Sequence, residues 1–107
     1  MGASKTESFS DEQNQLAMVF KALSHPARIA IVDYLLKVDH CICGDIVNEL
    51  PLAQPTISQH LKELKNANII QGTIEGTAIC YCINPDTITS IENHFGTIRH
   101  ALKHKCC

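Results

Sequence analysis

The chain has no tryptophan and only five aromatic residues in 107. A base-stacking platform for single-stranded nucleic acid needs more than that, so that class is set aside. No apolar run approaches the roughly 20 residues that a membrane helix requires. The opening Met1-Gly2-Ala3-Ser4-Lys5-Thr6 is polar and is no secretory signal. These features predict a cytoplasmic protein that does not engage a membrane. Charge is also scarce: the net value is −2. Nucleic-acid binders are usually basic, but binding depends on the local patch, and a dimer doubles it.

What is present in excess is cysteine, six in all. Cys41/Cys43 and Cys80/Cys82 form two C-x-C pairs, and Cys106-Cys107 ends the chain. Without an export signal the sequence predicts reduced thiols rather than a disulfide framework. Clustered thiols of that kind suit soft-metal binding or thiol redox chemistry.

One hundred and seven residues make one small domain. Residues 1–10 are polar and read as a disordered tail, 11–104 as the folded domain, and 105–107 as a cysteine-bearing C-terminal tail. Ser10-Asp11-Glu12 reads as a helix start, followed by Leu16, Val19, Phe20 and Leu23 at helical spacing. Pro26 opens a second helix whose Ile29, Ile31, Val32, Leu35 and Leu36 predict extensive burial. Ile42, Ile46 and Leu50 predict a third helix, ended by Pro51. In a fourth, Ile57, Leu61 and Leu64 share one face, while Gln54, Pro55, Thr56, Ser58, Gln59 and Lys62 cover the rest. Residues 69–74 and 77–83 are β-rich runs around a turn at Glu75-Gly76. Asn84-Pro85-Asp86 starts a last helix with Ile88, Ile91, Phe95, Ile98 and Leu102 along one stripe.

This order predicts a mostly α fold with a β-hairpin wing, a winged helix-turn-helix. The first and last helices are not needed to enclose it, and their apolar stripes are read as the seam of a homodimer. The fourth helix is the DNA-reading element. Hydroxyls and amides at Thr56, Ser58 and Gln59 suit base edges in the major groove of double-stranded operator DNA, and Gln54 and Lys62 suit phosphates. Pro55, His60 and the wing residues Thr73, Gly76 and Thr77 complete the expected DNA-facing set. His60 flanks the apolar face, so a packed, hydrogen-bonded histidine is its alternative. Thr73, Ile74, Glu75, Gly76 and Thr77 include no base and Glu75 would repel phosphate, so the wing should add little affinity.

Three segments carry a resemblance. Phe20-Lys21-Ala22-Leu23-Ser24-His25-Pro26-Ala27-Arg28-Ile29, then Gln54 through Leu61 with Leu64, then Asn68-Ile69-Ile70 with Glu75-Gly76 resemble the ArsR/SmtB family of winged-helix, metal-sensing repressors. The resemblance implies a homodimer that sits on operator DNA and leaves when an inducer binds. It departs in two places. Gly44 separates Cys43 from Asp45, one position out of register with the family's Cys-x-Cys-acidic motif. His94, His100 and His104 do not fall on the zinc-type site of the last helix.

The expected metal ligands are Cys41 and Cys43, placed at a helix start that would favour the thiolate, with Cys106 and Cys107 completing the three or four sulfurs that a soft ion takes. Cys80 and Cys82 alternate on a strand and read as buried small hydrophobes. The resulting expectation is a repressor released by a soft metal or metalloid, As(III) or Sb(III) ahead of Cd, Pb and Zn, with no ion needed for folding. Two alternatives stand beside it: a thiol-redox or persulfide-sensing repressor of the same fold, and a cysteine-rich metal buffer that never touches DNA. An enzyme is not expected. A phosphatase-like arsenate reductase would need Arg six positions after a Cys, and neither Arg28 nor Arg99 is so placed.

Overall fold

The computed structural model describes residues 7–37, 42–43, 50–75 and 78–105. Helix α1 spans Asp11–Leu23 and begins in a capping box. The Ser10 side chain accepts from the Gln13 amide and the Gln13 side chain accepts from the Ser10 amide, each at 3.0 Å. Two of the four amides that a helix start leaves unpaired are thereby satisfied. Helix α2 (Pro26–Leu36) follows at once, with Pro26 in its first turn and His25 Nδ1 accepting from the Ala27 amide at 3.1 Å.

The third helix predicted from Ile42 does not begin there. Ile42–Cys43 is a short strand, β1, antiparallel to a later strand. The helical period of Ile42 with Ile46 and Leu50 points to a helix, but the backbone of Ile42 and Cys43 finds partners on a sheet edge. Ile46 and Val47 lie outside the described residues. Leu50 is half-buried against the core.

Helix α3 spans Gln54–Asn66, with Pro55 in its first turn. It ends in a Schellman-type cap: the Asn68 amide donates to the Lys65 carbonyl and the Ile69 amide to the Leu64 carbonyl, both at 3.0 Å. Asn68 has φ of 62°, the left-handed conformation that such a cap demands and that Asn tolerates better than most residues. The chain then enters strand β2 (Ile70–Glu75), which pairs antiparallel with β3 (Ala78–Ile83) from Ile70 opposite Ile83 to Glu75 opposite Ala78. Glu75 therefore ends a strand instead of occupying the turn. β3 is central in the order β1-β3-β2. Helix α4 (Pro85–Leu102) is capped by Asn84, whose side chain accepts from the Asp86 amide at 3.0 Å. Thr87 Oγ1 donates to the Asn68 carbonyl, fixing the start of α4 against the end of α3.

The core joins Val19 and Ala22 of α1, Ile31 and Leu35 of α2, and Ile57, Leu61 and Leu64 of α3 with Ala67, Ile69 and Ile70. Helix α2 is less buried than its composition predicted: Ile29 is 48% exposed and Leu36 65% exposed. These two are seven residues apart, so they share a stripe, and that stripe points away from the one carrying Ile31 and Leu35. No residue of α4 is buried, and Ile88, Phe95, Ile98 and Leu102 are all exposed.

Candidate nucleic-acid interface

Helix α3 divides cleanly. Ile57 and Leu64 are fully buried and Leu61 nearly so. Gln54, Pro55, Thr56, Ser58, Gln59 and Lys62 are exposed. The apolar residues recur at steps of three and four, so docking them turns the intervening polar residues outward as one continuous face. Helix and face are thus positioned by the same contacts, which is the preorganisation that groove reading needs. Gln59 Nε2 donates to Glu63 Oε2 at 2.9 Å, one turn on, and this holds the amide along the helix surface.

His60 is the correction within the DNA-facing set. It is 8% exposed and sits on the packed face. Its Nδ1 accepts from Arg28 Nε at 3.1 Å, and its ring centroid is 4.6 Å from that of His25. Arg28 also donates to the Ala22 carbonyl, at 3.3 Å. One guanidinium therefore ties the end of α1 and the start of α2 to the middle of α3. Burial, followed by the charges of His25 and Arg28, holds the His60 imidazole below its usual value of 6.5. A neutral ring is what an Nδ1 acceptor requires. Arg28 was not singled out by sequence reasoning. Its partner is 32 residues away, and no local pattern links them.

On the wing, Thr73 lies in β2 opposite Cys80. Gly76 and Thr77, the other two wing residues expected to face DNA, lie outside the described residues.

The thiols are arranged differently from the expectation. Cys43 is in β1 opposite Cys80, so the helix-start argument for its thiolate does not apply. Cys80 and Cys82 are disulfide-bonded, against the expectation of reduced thiols. Cys80 is fully buried and Cys82 half-buried. Strand pairing sets Cys80 opposite Cys43, and spacing along the sequence does not reveal it. Cys41, Cys106 and Cys107 lie outside the described residues. Among the described residues, no group of three His, Cys, Asp or Glu converges on a common point.

A family model for bacterial regulatory proteins of the arsR family matches residues 25–71. The uncharacterized HTH-type transcriptional regulator MJ1325 of Methanocaldococcus jannaschii is 38% identical over 76% of this chain and 91% of its own length. The chain belongs to the ArsR family of transcriptional regulators. The arsenical resistance operon repressor of Staphylococcus xylosus is 29% identical over 78% of this chain and 80% of its own. The crystal structure of an ArsR family transcriptional regulator superposes with a TM-score of 0.78, covering 92% of this chain and all of that one at 18% identity, and so shares the fold. The protein is a helix-turn-helix, DNA-binding regulator of the ArsR type. No helix among its described residues is long and apolar enough to cross a membrane.

Proposed function

We propose that the protein is a homodimeric repressor that places α3 of each subunit in successive major grooves of its operator and leaves when a thiophilic inducer acts on its cysteines. The observation that carries this reading is the exposed polar face of α3, set on a helix whose opposite side is locked in the core. Thr56, Ser58 and Gln59 meet base edges, and Gln54 and Lys62 hold phosphates. The exposed stripe of Ile88, Phe95, Ile98 and Leu102 on α4, with Phe20 of α1 packed against Phe95 at 5.8 Å between ring centroids, supports a dimer through the first and last helices. A symmetric pair matches half-sites about 34–36 Å apart, so a small rotation between subunits is enough for release.

Soft sulfur donors favour As(III) or Sb(III), then Cd, Pb or Zn. The likeness to an arsenical resistance repressor supports that order. The test is a titration of labelled DNA from upstream of the gene with the reduced protein, adding arsenite, antimonite, Cd or Zn in turn. Salt-dependent binding abolished by arsenite is expected. Binding that no thiophile disturbs would sink the inducer assignment. Absence of any binding at low salt would sink the repressor itself.

A further inference from the structure

Helix α1, the capped end of α3 and the start of α4 do not close fully on one another. They leave a cavity of about 300 Å³. Ligand sites run from about 300 to 1,000 Å³, so this one suits a small molecule. Its floor is apolar: Leu16 and Val19 of α1 and Ala67 beyond α3 are buried, and Ile91 of α4 is half-buried. Its rim carries the amide side chains of Gln15, Asn68 and Asn93. An apolar floor under a few convergent polar groups is the usual make-up of a small-molecule site. Glu12, in the first turn of α1, is the one charged side chain among the described residues that line it. A carboxylate at the rim attracts a cation and repels an anion. Ser90 and Asn93 are exposed at the mouth. At about 100° per residue they lie more than about 100° around α4 from the centre of its apolar stripe. A dimer built on that stripe therefore leaves the mouth open.

We propose that this cavity binds a small organic cation, an ammonium group carrying a short hydrocarbon arm, and that its occupant changes operator affinity. The arm lies on Leu16, Val19, Ala67 and Ile91, where its burial supplies the hydrophobic share of binding. The ammonium stands at the Glu12 carboxylate. Its other N–H groups donate to the side-chain carbonyl oxygens of the rim amides.

The regulatory half of this inference rests on the repressor reading above. Ala67 caps the C-terminal end of α3, and Asn68 follows it. Thr87, whose hydroxyl donates to the Asn68 carbonyl, stands in the cavity wall. An occupant thus touches the end of the DNA-reading helix and, at once, α1 and α4, the helices assigned to the dimer seam. Its affinity depends on how these three are placed relative to one another. By linkage it biases that placement, and with it the fit of α3 to the groove.

The experiment titrates the full chain by calorimetry with three probes of matched length and different charge: hexylammonium, hexanol and hexanoate. Hexylammonium should bind about two- to fivefold more tightly than hexanol, the gain expected of one exposed ion pair, and hexanoate should bind most weakly. Glu12→Gln should erase the preference for hexylammonium and leave hexanol binding unchanged. Ser90→Trp, at an exposed position on the mouth, should fill the cavity and abolish binding of all three, with an unchanged thermal midpoint showing that the variant is folded. Hexanol or hexanoate binding as tightly as hexylammonium, no binding of any probe, or hexylammonium binding that survives Ser90→Trp would overturn the proposal. Affinity for upstream DNA should change at least about fivefold at saturating hexylammonium, the lower end of typical coupling. Binding of hexylammonium without that change would overturn the regulatory half and leave both the site and the repressor standing. If the chain does not bind DNA with or without the probe, the repressor reading and the regulatory half fail together, and calorimetry alone then decides the site.

Discussion

At the scale of residues, His60 shows how one side chain can be read two ways. Its place beside Leu61 and Gln59 allowed either a groove contact or a packed role, and the hydrogen bond from Arg28 Nε decides for packing. The lowered proton affinity of His60 has a definite sign in stability. The unfolded chain takes the proton more readily than the folded one. The contribution is therefore full above about 6.5 and is lost as pH falls below it. Thermal midpoints measured from pH 8 to pH 5 should drop in the lower half of that range, and His60→Gln should flatten the drop while still offering Arg28 an acceptor. His60→Ala, which leaves Arg28 without its partner, should cost about 1–3 kcal/mol in urea denaturation. Asn68 is a second such residue. Its φ of 62° makes Asn68→Val lower stability by about 1–2 kcal/mol in the same assay, with Asn68→Gly tolerated.

At the scale of elements, α3 was legible because period and environment agree: every apolar residue predicted for its inner face is buried. β1 was misread because a two-residue strand carries no period of its own. It exists only because β3 offers an edge. The cap at Asn84 and the capping box at Ser10 are local chemistry and were readable in advance. DNA-binding assays on α3 separate its two kinds of contact. Ser58→Ala should cost about 1–3 kcal/mol at one base position and relax specificity there. Lys62→Ala should weaken binding evenly across sequences and reduce the slope of log K against log salt by about 1.

At the scale of the whole molecule, the radius of gyration is 16.4 Å, against about 13 Å for a compact domain of this length. The chain is elongated, and α4 lies with its apolar stripe uncovered. Exposed apolar surface on that scale marks an interaction face. Phe95→Glu or Ile98→Glu should shift the protein to a monomer in sedimentation velocity and abolish tight operator binding, since one subunit grips only one half-site. A variant that stays dimeric would place the seam elsewhere.

The amino-acid order by itself determined the helices that carry their own period, the caps that close them, the hairpin and the polar face of α3. Each of these depends on neighbours within a few residues. Tertiary structure alone decided that Arg28 would meet His60, that Ile29 and Leu36 would face outward, and that Cys43 would stand across from Cys80. Those are contacts between distant segments, set by how the sheet and helices pack, and no spacing along the chain encodes them.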